Sequence, residues 1–203
     1  MIIYDIEIIK AIPDKRGVAH AGIEYCAGWH DHTNMGISVV GVYDYREDRY
    51  RVFLQDNMEE FFHLCDARDT LVGFNNIAFD NAVINAHGPR LTEEKKFYDI
   101  LIEVWAAVGL GPKFEYPSHI GFGLDACCHI NFGTNKTGDG ALAPVLWQRG
   151  EHGKVIDYCL NDVRLTKQLL DEIIKTGELH HPRNSTLVGN KLTIRKPGEK
   201  ELV

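Results

Sequence analysis

The chain has 203 residues, of which 44% are hydrophobic and 25% charged, and it carries a net charge of −7. That length and balance suit one globular domain with a sizeable core. They exclude a membrane-spanning protein, because no apolar run approaches the roughly 20 residues needed to cross a bilayer. The N-terminus has no charged segment leading into an apolar run and a small-residue cleavage site, so no secretory signal is expected. Cys26, Cys65, Cys127, Cys128 and Cys159 are odd in number and contain no CxxC pair. They point to reduced thiols in a cytoplasm rather than a disulfide framework. An acidic balance is unusual for a nucleic-acid-binding protein. Acids gathered at a metal site are neutralised when the metal binds, however, and a local basic patch is enough to grip a phosphate backbone.

Residues 1–9 read as a first strand, and 11–35, with Pro13 and the cluster His30-Asp31-His32, as a long segment of low regularity. Two β-rich runs, 36–45 and 49–54, are separated by the polar turn Arg46-Glu47-Asp48 and predict a hairpin. A helix is expected over 57–66 with Asn57 as N-cap and Glu59 and Glu60 in its first turn. A short buried strand over 71–74, a helix over 78–87 and a strand running into a helix over 97–108 follow. Gly and Pro mark 109–123 as a connection, 124–131 as a short helix and 133–140 as a flexible loop. The longest helix is expected over 151–176, with Val155, Cys159, Val163, Leu170 and Ile174 at helical spacing and Gly177 as its stop. The tail predicts a small hairpin of Leu187-Val188 against 191–194 about a Gly189-Asn190 turn. Three strands followed by alternating helix and strand predict a mixed α/β sheet covered by helices.

The first strand carries Asp5 and Glu7 two residues apart, hence on one face, in an otherwise apolar run. Two adjacent carboxylates repel each other and are costly to bury. A divalent cation would stabilise them; an exposed edge with two solvated acids is the alternative. Two further segments bear on the choice. Gly73 to Asp80 (GFNNIAFD) puts Asp80 just after a buried strand at the start of a helix, where α/β proteins gather active-site groups. Tyr158 and Asp162 stand four apart on one face of the long helix.

These segments resemble the three motifs of the DEDD superfamily of 3′→5′ exonucleases, which have a ribonuclease H-like fold. Asp5 and Glu7 match Asp-x-Glu. Asn76, Phe79 and Asp80 match Asn-x-x-(Phe/Tyr)-Asp. Tyr158 and Asp162 match the Tyr-x-x-x-Asp of the tyrosine-bearing, DEDDy branch. His152 stands too far upstream for the histidine branch. The resemblance is to stand-alone phage or bacterial enzymes of this type and spans about residues 1–175. It implies a mixed central sheet flanked by helices, an exonuclease domain over 1–178 and a hairpin-bearing tail over 179–203. It departs at Ile8, where many relatives have a Thr that touches the terminal nucleotide.

The resemblance also implies chemistry. Phosphodiester cleavage needs an activated water, a stabilised pentavalent phosphorus and a neutralised leaving oxygen, which two metals about 3.5–4 Å apart supply. Asp5 would bridge both ions, Glu7 and Asp162 would complete one site, and Asp80 would serve the other. Oxygen-only ligands favour Mg²⁺ or Mn²⁺. Tyr158, with an ordinary pKa of about 10, is a poor base and is better placed to orient the attacking water. Asn76 would hold the substrate backbone, Phe79 would pack on the terminal nucleotide or fill the core, and Lys136 would reach a phosphate or stay solvated.

Other residues invite plainer readings. Asp99 serves the acidic site or caps a helix. Cys26, His30 and His32 have the look of zinc ligands but lack an evident fourth, and Cys127-Cys128 are expected as buried thiols. Arg183, Lys191, Arg195 and Lys196 in the tail would guide a strand, contact a partner, or simply be solvated. The function expected is a metal-dependent 3′→5′ exonuclease on single-stranded DNA or RNA, releasing nucleoside monophosphates, with a replication or repair protein as a possible partner. Its rivals are a degrader of short oligonucleotides, a structure-specific endonuclease on the same fold, and a non-catalytic nucleic-acid-binding or replication-partner module.

Overall fold

A computed structural model describes residues 1–14, 19–88, 91, 96–134, 140–183 and 190–199. Its centre is a five-stranded sheet in the order β3-β2-β1-β4-β5. The strands are β1 (Ile2–Ile8), β2 (Ile37–Asp44), β3 (Arg49–Phe53), β4 (Thr70–Gly73) and β5 (Lys96–Asp99). β2 runs antiparallel to β1 and to β3, whereas β4 and β5 run parallel to β1. The expected hairpin is therefore present, and Asp48 takes the left-handed φ of 49° that its turn requires, a conformation Asp tolerates better than most residues.

Alternation along β1 decides the layers. Ile2, Tyr4, Ile6 and Ile8 point into one apolar cluster with Phe61 and Leu64 of α2 (Met58–Asp66) and Val83 and Ile84 of α3 (Asp80–His87). Ile3, on the other pleat, joins a second cluster with α4 (Ile100–Ala107), α5 (Leu124–Phe132) and α7 (His152–Thr176). Asp5 and Glu7 share the pleat of Ile3 and so face the α7 side. Helix α7 ends where Gly177, at φ 72°, sends its N–H to the Ile173 carbonyl at 2.8 Å. The buried stripe continues through Leu169 and Ile173, and Ile174, expected in it, is 41% exposed. A stripe of strict 3.6-residue period selects the earlier isoleucine.

Three elements differ from expectation. The 11–35 segment contains a one-turn helix, α1 (His32–Met35). Helix α6 (Ala143–Gln148) has Pro144 in its first turn, where a missing N–H costs nothing, and is too short to show a periodicity. In the tail, β7 (Lys191–Thr193) pairs antiparallel with β6 (Glu178–His180), with Leu179 opposite Leu192. The expected partners Leu187 and Val188 lie outside the described residues. Asn57 does stand at the N-cap of α2, but its Oδ1 accepts from Leu54 N–H at 2.6 Å in the preceding turn rather than from the helix. No helix among the described residues is long and apolar enough to cross a membrane.

Candidate active site

Helix α7 lies close against the sheet because β2 carries Gly41 opposite Asp5. A Cβ there would come within 2.9 Å of Cys159 Sγ and 3.2 Å of Val163 Cγ2. The close approach lets Cys159 donate to the Asp5 carbonyl at 3.4 Å. Burial, then the charges of Asp5 and Glu7, push the Cys159 thiol well up, so it stays a protonated donor. Tyr158 and Asp162 flank Cys159 on α7 and reach the same wall as the β1 acids. The strand pairing slips between Glu7 and Ile8, an irregularity of the kind that ends a ladder beside a site.

Asp80 arrives from the opposite layer. β4 stops at Gly73, just past the Ile3–Val72 pairing, and the Ile6 N–H beyond it donates to Asp80 Oδ1 at 3.1 Å. The turn before Asp80 is held from below by Asp99. That carboxylate accepts from Asn75 N at 2.8 Å, Ile77 N at 3.1 Å and Leu101 N at 3.0 Å. Asp99 is thus the N-cap of α4 and also a clamp on the turn, and its burial pushes its pKa above the ordinary carboxylate range despite those bonds.

Asn75, at φ 66°, reverses the chain and lines the cavity. Asn76 does not: it is fully buried and donates from Nδ2 to Tyr4 Oη at 3.0 Å. Tyr4 in turn donates to Asn81 Oδ1, and burial, followed by the Asp80 charge, raises its pKa so that the hydroxyl keeps its proton. Asn76, expected to hold the substrate backbone, is thus not brought to the cavity. Its side chain ties β1 to the turn before α3, and Gly73 leaves it room, since a Cβ there would lie 2.5 Å from Asn76 Cβ.

A cavity of about 950 Å³ results, lined by Asp5, Glu7, Asp80, Tyr158 and Asp162 together with Ile8 and Phe79. Glu7, Asp80 and Asp162 are each less than 10% exposed. Phe79 both lines the cavity and packs against the Tyr4 and Phe61 cluster. Lys136 lies outside the described residues. Trp29, His30 and Phe74 also line the cavity. The sequence reading missed Trp29 and Phe74; a large aromatic in a polar loop was the available signal for Trp29.

The four carboxylates are hard oxygen donors, the set Mg²⁺ and Mn²⁺ take, and they share one cavity. Among the described residues, however, no three or more His, Cys, Asp or Glu side chains form a ready-made metal-holding group. The residues therefore fit divalent cations in donor type, without being drawn into a cluster. The zinc-like trio is not one either. Cys26 is buried and donates to Gly28 O at 3.6 Å, while the His32 ring packs edge-on to Phe79. Cys127 and Cys128 are buried thiols, Cys128 donating to Leu165 O at 3.7 Å, and burial pushes Cys127 up to about 12. In the tail, Arg195 Nε binds Glu103 at 3.0 Å, Lys191 pairs with Glu178 at 2.7 Å, and Arg183 lies over the Phe122 ring at 4.2 Å. The two arginines hold the tail to the body, and Lys191 ties β7 to β6 within it.

No protein-family model matches the chain, and no curated protein matches it. Among solved structures, it is similar to the family B DNA polymerase of the hyperthermophilic archaeon Pyrobaculum calidifontis, with a TM-score of 0.56 and 16% identity. That match covers 85% of this chain and 24% of the polymerase, so the chain spans about a quarter of that protein's length. It also matches the zinc-bound form of an Escherichia coli ExoI–ssDNA complex, with a TM-score of 0.45 and 14% identity, over 86% of this chain and 40% of that one. The polymerase match and the sheet order agree on the expected ribonuclease H-like α/β fold.

Proposed function

We propose that this chain is a metal-dependent 3′→5′ exonuclease of the DEDDy type, acting on single-stranded DNA or RNA and releasing nucleoside monophosphates. The observation that carries the reading is the convergence of Asp5, Glu7, Asp80, Tyr158 and Asp162 on one cavity from three segments far apart in the chain. The shared fold with part of a DNA polymerase is consistent with a nucleic-acid substrate.

Asp5, Glu7, Asp80 and Asp162 would hold Mg²⁺ or Mn²⁺, which when bound supplies Lewis acidity at a phosphate and lowers the pKa of a water. The remaining work falls to the protein. The Ile6 N–H fixes the Asp80 carboxylate in place, and the Asp99 clamp fixes the turn that delivers it. The Tyr158 hydroxyl faces Gly140, where even a Cβ would approach it to 3.1 Å, so the glycine avoids crowding that hydroxyl. Tyr158 orients the attacking water by hydrogen bond and is not asked to remove its proton.

A 5′-labelled oligonucleotide with Mg²⁺ or Mn²⁺ is expected to shorten from its 3′ end. Asp162→Ala abolishes the shortening, and Tyr158→Phe slows it on the order of 10²-fold while divalent-ion binding persists. Shortening that survives EDTA and Asp162→Ala overturns the proposal. Cuts within a circular strand point instead to an endonuclease, and binding without product to a non-catalytic module.

A further inference from the structure

The described residues between β1 and β2 are, apart from α1, irregular in secondary structure but firmly attached. Ile9 N and Lys10 N both donate to Met35 O, at 3.2 and 2.9 Å, which closes the base of the loop. Ala11 N donates to Glu24 O at 3.0 Å and Cys26 N to Ala11 O at 3.0 Å. Gln148 of α6 staples the loop to the body, donating from Nε2 to Ile9 O at 2.8 Å and to Glu24 O at 3.0 Å while accepting from Glu24 N at 2.7 Å. Asp31 holds the tip, accepting from Ala27 N at 2.7 Å and Asn34 Nδ2 at 2.6 Å. On the α3 side, His87 Nε2 lies 3.1 Å from Gly36 N and 2.9 Å from His32 O.

The result of this scaffolding is a single exposed indole. Trp29 is 65% exposed, whereas Trp105 is 3% exposed. Trp29 lines the same cavity as the acids, and its ring meets Phe79 edge-on, with centroids 5.9 Å apart and planes at 64°. An edge contact supports an aromatic ring without covering it as a stacked neighbour would. The cavity thus has two chemistries, carboxylates along β1 and α7 and aromatic rings at Trp29 and Phe79. A nucleotide has the same two, a phosphate that needs cations and a flat base that needs a ring. Stacking on an indole accepts every base but demands that the base be unpaired.

We propose that Trp29 is a nucleobase platform, held by the β1–β2 segment, that stacks on a base of a single strand entering the cavity. The inference rests on the exonuclease reading and narrows it to unpaired ends, with little preference for sequence.

The test is binding of the full-length protein, in EDTA so that no cutting is needed, to two fluorescein-labelled single strands. One carries ordinary 3′-terminal thymidines and the other abasic residues at the last two positions. Wild type is expected to bind the base-bearing strand about tenfold more tightly, the contribution of roughly one stacked base. Trp29→Ala loses that preference and Trp29→Phe keeps most of it; in cleavage assays KM rises more than kcat falls. A Trp29→Ala protein that still prefers the base-bearing strand overturns the platform. So does one that weakens on both strands equally, as a merely structural residue would. Wild type that shows the base preference but never shortens a strand supports the platform and sinks the nuclease reading. Wild type that shortens strands without any base preference sinks the platform alone, and wild type that binds neither strand and, with Mg²⁺ or Mn²⁺, shortens neither sinks both.

Discussion

The two ends of β1 bury carboxylates in opposite ways. Beside its first residue, Asp44 is fully buried and gripped by Arg68, with Nε to Oδ1 at 3.0 Å and Nη2 to Oδ2 at 2.5 Å, and by Arg46 N at 3.0 Å. Toward its other end, Asp5 and Glu7 meet Asp80 and Asp162 around one cavity. The first arrangement matches a charge with its counter-charge and serves the fold. The second gathers four carboxylates around one cavity, and crowding like groups is not something a fold selects for by itself. Local arrangements that stability does not favour are where function is to be sought.

Arg68→Ala should break the comparison at its structural end. It leaves the Asp44 carboxylate buried without its guanidinium, at a cost of about 3 kcal/mol, read from urea unfolding at neutral pH. The folded fraction should cut as wild type does. Burial works against the charge on Asp44, and Arg68 and the Arg46 N–H outweigh it, so its pKa is held below the ordinary carboxylate value. A lowered folded pKa contributes stability above the unfolded pKa and loses it as pH falls through the folded value. The gap between wild type and Arg68→Ala should therefore close in acid. A gap that persists below pH 2 would show that packing, not charge, accounts for the loss.

Asp99 sharpens the comparison, because it lies near the cavity yet acts structurally. Asp99→Ala orphans the N–H groups of Asn75, Ile77 and Leu101, for a loss of about 2 kcal/mol. It should also cut activity in the folded fraction, since the freed turn carries Phe79 and Asp80. The pH dependence has the opposite sign to that of Asp44. A carboxylate whose folded pKa is raised holds its proton more tightly when folded, so its contribution falls as pH rises from the unfolded pKa through the folded one. The stability advantage of wild type over Asp99→Asn should shrink across that interval. If Asp99→Ala unfolds like wild type and cuts like wild type, the clamp has no role.

What the sequence made legible were features with local causes. Apolar, β-rich runs located β1 to β3, and Asp5 and Glu7 share a face because two residues along a strand always do. Tyr158 and Asp162 follow from the four-residue step of a helix. Features set by distant partners were not legible. Nothing local distinguishes Asn75 from Asn76; the Asp99 bonds and the Gly73 gap turn one to the cavity and the other to Tyr4. β7 takes a partner, β6, that lacks an apolar run of its own. Trp29 reaches the cavity through Gln148, Asp31 and His87, contacts spanning up to 139 residues of chain.

The smallest expected change in stability is the sharpest test of the contrast between the two ends of β1. Glu7→Gln keeps the shape of the side chain and removes one of several like charges around the cavity. In EDTA it should alter unfolding stability by less than about 0.5 kcal/mol, or raise it slightly. It should also lose cleavage and diminish the rise in Tm that Mn²⁺ gives wild type, because a ligand that binds only the folded state stabilises it in proportion to its affinity. Arg68→Ala is expected to do the reverse, with a large loss of stability and an intact Mn²⁺ response. If Glu7→Gln instead costs several kcal/mol, the acids of β1 belong to the fold after all, and the distinction between its two ends fails.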